Sequence, residues 1–159
     1  MIFIKRLNIY FLCVICLFIL FFILVDVPSN INSDSVYKNI ACKPENVFKI
    51  FSNNLLAVIF YIIPILGVGK LLIDLYITVE SLKIYILHNN FENILFLFFP
   101  HFLFELYAMT IWVYMSWVLF RDIFIEKELN YTNYIKLIFF SIILLLLSAT
   151  IEATERCFF

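Results

Sequence analysis

A chain of 159 residues with 65% hydrophobic and only 14% charged side chains carries more apolar surface than it can fold inward. Soluble domains average roughly 45–50% apolar residues, and small domains bury only about two-thirds of their surface; a mean hydropathy of +1.04 therefore excludes an ordinary water-soluble domain. A formal net charge of −1 without any basic run excludes the electrostatic footprint of a nucleic-acid binder.

The apolar stretches predict an all-α, polytopic transmembrane helix bundle of about five spans. Lys5 and Arg6 precede an uncharged run from Leu7 to Val25, about 28 Å as a helix and long enough for a bilayer core. No small-residue cleavage pattern follows it, so residues 1–25 are expected to be a retained signal anchor with a cytoplasmic N-terminus. Cys13 and Cys16 form a CxxC inside this run, where the expected role is a small lipid-facing or packed side chain rather than a reactive thiol pair.

Residues 26–50 change character. Pro28, Asn30, Asn32, Ser33, Asp34 and Ser35 read as loop, and Glu45 or Asn46 then opens a short amphipathic helix through Val47, Phe48, Ile50 and Phe51. This segment is expected outside the cytoplasm. A disulfide between Cys42 and Cys157 is one option left open, because spacing alone does not fix connectivity.

Residues 51–157 are expected to form a four-helix membrane domain. The second span is placed at Leu55–Ile73, with Pro64, Gly67 and Gly69 inside it. A third apolar stretch, Leu75–Leu87, is interrupted by Glu80 and Lys83 and is short; a four-span version with this stretch re-entrant stays open. His88, Asn89 and Asn90 mark a loop. Ile94–Phe120 would measure about 40 Å, with Pro100 as a kink site and Tyr114 and Trp117 at an interfacial belt. A polar segment from Arg121 to Lys136 leads to the last span, Leu137 to about Ala153. The C-terminus then lies outside, and the Lys/Arg distribution follows the positive-inside rule weakly. Since Gly and Ala are scarce, bulky Phe and Leu are expected to do much of the helix packing that small residues usually do.

Ionisable groups in such runs cost roughly 2.5–3.5 kcal/mol each at a bilayer centre and need partners. His101 and Glu105 are four apart and share a helix face, next to Pro100, which frees a backbone carbonyl one turn earlier. The preferred reading is a hydrogen-bonded lock between helices. Proton or ion handling is a second, and metal ligation a third, though His-x-x-x-Glu supplies two ligands where zinc wants three or four. Asn53 and Asn54 read as a helix cap, or alternatively as partners of the Glu105 region. Glu152 and Arg156, Glu80 and Lys83, and Lys70 and Asp74 are spaced to pair along their own helices. With only two glycines there is no phosphate-cradling loop, and no nucleophile elbow, P-loop or HExxH pattern is present.

The order of these groups is informative. Phe51-Ser52-Asn53-Asn54-Leu55-Leu56-Ala57 precedes a glycine-containing span, Phe99-Pro100-His101 leads to Glu105, and Leu147-Ser148-Ala149-Thr150-Ile151-Glu152-Ala153 closes the chain. Over about residues 50–155 this resembles the stage II sporulation protein M family of polytopic membrane proteins. The Asn-Gly expected after the second span is replaced by Thr78-Val79-Glu80-Ser81, and Phe102 follows the histidine where the family has a small residue. The resemblance implies Asn53, Asn54, Pro100, His101, Glu105 and Glu152 as intramembrane polar and helix-packing residues, with no catalytic residue, metal or cofactor. It implies a non-enzymatic scaffold or accessory subunit, as in the cell-wall-remodelling engulfment complex of sporulation. A permease-like subunit of an ABC-type exporter or bacteriocin immunity system is the alternative. The expected partners are the lipid bilayer and other membrane proteins, an ABC ATPase or cell-wall-remodelling proteins among them; self-association is left open.

Overall fold

The computed structural model describes residues 2–26, 45–88, 91–126 and 131–158. Among these there is no strand; five α-helices account for nearly all of them, namely α1 (Ile2–Leu24), α2 (Glu45–Val58), α3 (Pro64–His88), α4 (Phe91–Arg121) and α5 (Tyr131–Phe158). Three helical segments are long and apolar enough to cross a membrane: Arg6–Leu24, Phe99–Ile125 and Tyr131–Thr154. A shorter apolar segment, Asn46–Ile62, lies between the first two.

Helix α1 contains neither Gly nor Pro, so nothing interrupts its hydrogen-bond ladder. Its buried residues Leu7, Val14 and Phe18, with Val25 just past its end, recur every four or seven positions and form one stripe. Ile9, Leu12, Leu20 and Ile23 face outward, as do the free thiols of Cys13 and Cys16. The stripe packs on α4: Phe11 meets Tyr107 edge-on with centroids 4.7 Å apart, and Phe18 meets Phe102 at 4.8 Å. Rising numbers on α1 pair with falling numbers on α4, so the two run antiparallel.

The helix breaks after α2. A 3-10 turn over Ile59–Ile62 ends at Ile63, whose φ of −91° and ψ of 117° are extended, as expected of a residue before proline. Pro64 then opens α3, a position where its missing N–H costs nothing. This corrects two expectations. The second span does not run through Pro64 to Ile73, and the apolar stretch 75–87 is not separate: both lie on one 25-residue helix, α3, and the break falls before Pro64 rather than at Lys70–Asp74. Nor do Asn53 and Asn54 cap a helix. They sit in the third turn of α2, whose start at Glu45 agrees with the amphipathic helix read from the sequence.

Close approach tightens this break. A Cβ on Gly67 would lie 2.7 Å from the carbonyl oxygen of Tyr61 and 3.0 Å from its Cα. Nothing lies within 4 Å of the same position on Gly69, so only the first glycine is needed for packing.

Helix α4 is central, touching α1, α3 and α5, and it runs helically through Pro100. It hands over to α5 through a π turn, Asp122–Glu126. There Asp122, 6% exposed, accepts from Arg121 Nη2 at 2.9 Å and from Tyr134 Oη at 2.6 Å. Helix α5 runs antiparallel to α4, since Ser148 meets His101 and Phe140 meets Tyr107. One small residue, Ser148, sits at this seam. Ser141, Ser148 and Ala149 on α5 and Ala108 on α4 are fully buried. Ser141 and Thr110 satisfy their hydroxyls on the carbonyls of Ile138 and Leu106 of their own helices, each at 2.8 Å.

The Cys42–Cys157 pairing and the Glu152–Arg156 pairing lie outside the described residues and side chains.

Candidate functional site: a polar cavity between four helices

Four helices bring polar side chains to one place. On α3, Asp74, Thr78 and Ser81 fall at i, i+4 and i+7, one helical face. On α4, His101 and Glu105 share a face in the same way. Glu152 comes from α5, and Asn54 from α2. Together they line a cavity of about 270 Å³ whose remaining wall is apolar, with Leu71, Leu75, Phe102, Leu106 and Met109. Ser148 Oγ donates to the carbonyl of His101, the residue after Pro100, at 3.0 Å, tying α5 to α4 one turn from Glu152.

Of the six residues singled out in the sequence, Asn54, His101, Glu105 and Glu152 therefore converge. Asn53 is exposed on α2 and Pro100 is half-buried in α4; neither lines the cavity. The anticipated hydrogen bond between His101 and Glu105 is not formed. They face the same space, and Glu105 has no hydrogen-bond partner among the described residues.

The carboxyl group of Asp74 is fully engaged. Both Tyr61 Oη and Lys70 Nζ donate to it. Tyr61 is completely buried, and its hydroxyl also lies 3.5 Å from Met109 Sδ, so this cluster fastens the break to both α3 and α4. The Lys70–Asp74 pair was legible from its i,i+4 spacing. Tyr61, thirteen positions before Asp74 and across the bend, was not.

Glu105 is surrounded by protein, and its remaining accessible surface faces the cavity. It feels two like charges, Glu152 and Asp74, against His101 and Lys70 of opposite sign. Asn54 Nδ2 is sealed from solvent without a hydrogen-bond partner. An uncompensated buried donor of this kind costs about 1–3 kcal/mol.

The other expected local pair is also rearranged. Lys83 Nζ donates to the backbone carbonyl of Val25 and sits 5.1 Å from the Phe22 ring centroid. No ion pair joins it to Glu80 among the described residues. It thereby covers one of the carbonyls that every helix end leaves open.

Among the described residues, no three His, Cys, Asp or Glu side chains gather closely enough to hold a metal ion. Acceptors of hydrogen bonds predominate on the α3 and α4 walls, while the nearby donors of Tyr61, Lys70 and Thr78 are engaged. The chain matches no protein-family model, no curated protein and no solved structure.

Proposed function

We propose that this chain is a non-catalytic, multi-pass membrane protein acting as a scaffold or accessory subunit of a membrane complex. The observation that supports it best is how the ionisable groups are used. Lys70, Asp74 and Tyr61 fasten the α2–α3 break, Arg121, Asp122 and Tyr134 close the α4–α5 turn, and Lys83 ties α3 to α1. Charges arranged this way hold helices together. A rigid bundle with outward apolar faces suits a subunit that assembles with others. The Asn-Asn, Pro-His and Ile-Glu-Ala groups, which resemble those of the stage II sporulation protein M family, point the same way, toward a cell-wall-remodelling or ABC-type partner. In this reading the N-terminus is cytoplasmic and the C-terminus extracytoplasmic.

The test is capture of the full-length chain from its native membranes in mild detergent, followed by mass spectrometry of what comes with it. A membrane partner at fixed stoichiometry is expected. Recovery of the free monomer under every solubilisation condition would overturn the proposal.

A second reading is favoured by the cavity itself: a permease-like subunit in which His101 and Glu105 line part of a path. It requires that His101→Ala and Glu105→Gln abolish transport or resistance while the protein stays in the membrane at normal abundance. An unchanged phenotype in both would eliminate it.

A further inference from the structure

We propose that the cavity between α2, α3, α4 and α5 is a binding site for one organic cation bearing N–H donors, a guanidinium or primary alkylammonium group, received by Glu105. Three observations carry this, and the first is the bonding state of the walls. Thr78 Oγ1 donates to the Asp74 backbone carbonyl at 2.7 Å, so what its hydroxyl has left to offer is lone pairs. Tyr61 and Lys70 donate to the Asp74 carboxylate. Apart from the Asn54 amide, whose Nδ2 is sealed from solvent, these groups leave acceptors toward the cavity, and the group that complements them is rich in N–H donors.

The second observation is Glu105. It lines a partly open cavity with no hydrogen-bond donor of its own among the described residues, with Glu152 and Asp74 repelling its charge and His101 and Lys70 offsetting part of it. A carboxylate in that setting costs several kcal/mol unless a cation joins it, and a guanidinium supplies paired N–H groups that match the carboxylate edge.

The third is size. A cavity of about 270 Å³ far exceeds the roughly 30 Å³ that one water occupies in the liquid. The acidic groups do not gather tightly enough for metal ligation among the described residues. A small organic cation spans such a gap, and the apolar wall of Leu71, Leu75 and Met109 accepts its alkyl stem.

The cation comes either from an Arg or Lys side chain of a partner subunit or from a soluble amine. Only this choice of source rests on the accessory-subunit reading; the site is tested on the chain alone. The purified full-length protein, in lipid nanodiscs, is treated with dicyclohexylcarbodiimide, and the rate of adduct formation at Glu105 is followed by peptide mass spectrometry. Ethylguanidinium at millimolar concentration is expected to slow labelling at least tenfold. Sodium and tetramethylammonium at equal ionic strength are expected to leave it unchanged. Equal protection by sodium, or none by ethylguanidinium, would overturn the proposal.

Glu105→Gln should remove the adduct. Should that variant fail to fold, Thr78→Val keeps the carboxyl and is expected to weaken ethylguanidinium protection several-fold; undiminished protection counts against the site. In the complex captured with its partner, labelling blocked before any probe is added assigns the cation to a partner side chain. Labelling that still responds to ethylguanidinium assigns it to a soluble amine.

Discussion

The carbonyl oxygen of Tyr61 occupies the space that a Cβ on Gly67 would need, 2.7 Å away. The obstacle is backbone, so it cannot swing aside as a side chain would. Gly67→Ala is expected to destabilise the protein by about 1–3 kcal/mol, the usual range for overpacking. Gly69→Ala should be neutral or stabilising, since its Cβ meets open space and alanine is the better helix former. Thermal melts of both variants in the same detergent, read by size-exclusion chromatography, check the contrast.

Lys83 and Glu80 give a second paired comparison. Lys83→Met removes a charge-assisted bond to the Val25 carbonyl and a cation–π contact with Phe22, together about 1–3 kcal/mol. Glu80→Gln is expected to change stability by less than about 0.5 kcal/mol. A disulfide engineered between α1 and α3 should rescue the first variant. Equal losses from both would mean that Lys83 pairs with Glu80 after all.

At Asp74 the network predicts non-additivity. Asp74→Asn leaves Lys70 without its counter-ion, whereas Asp74→Asn combined with Lys70→Met removes both charges. The double variant is expected to melt above the Asp74→Asn single variant. Tyr61→Phe alone should cost about 1–2 kcal/mol through the lost bond to Asp74. Strictly additive losses in this cycle would show that the three groups are not coupled.

Ser148 is fully buried where α5 meets α4. Ser148→Leu is expected to push these helices apart, destabilising by about 1–3 kcal/mol and disturbing Glu152 one turn away. Ser148→Ala loses only the bond to the His101 carbonyl, about 0.6 kcal/mol for a typical interhelical contact of this kind. Chemical crosslinking between cysteines placed on α4 and α5 reports the separation directly.

Much of this architecture is written in local sequence. Long uncharged runs marked α1, the body of α4 and α5, and the His101–Glu105 spacing placed both residues on one wall. What failed was partnering at a distance. Hydropathy averaging carried a span straight through Pro64, although proline and the extended residue before it are the ordinary signs of a helix start. Helical spacing offered Glu80 as the nearest partner for Lys83, but its ammonium reaches a carbonyl 58 positions away on another helix. Asn54 looked like a cap because Asn favours helix ends; the helix in fact begins nine residues earlier. The burial of Ser148 follows only once α4 and α5 are side by side.

The break before Pro64 also bears on how such a chain could enter a bilayer. Helix α3 holds Lys70, Asp74, Glu80 and Lys83 and is not among the segments apolar enough to cross unaided. Its preceding limb, Asn46–Ile62, is apolar but short. Lys70 offsets the Asp74 charge within α3 itself, and Tyr61 adds a hydrogen bond from the end of the short limb, so the carboxylate reaches lipid already compensated.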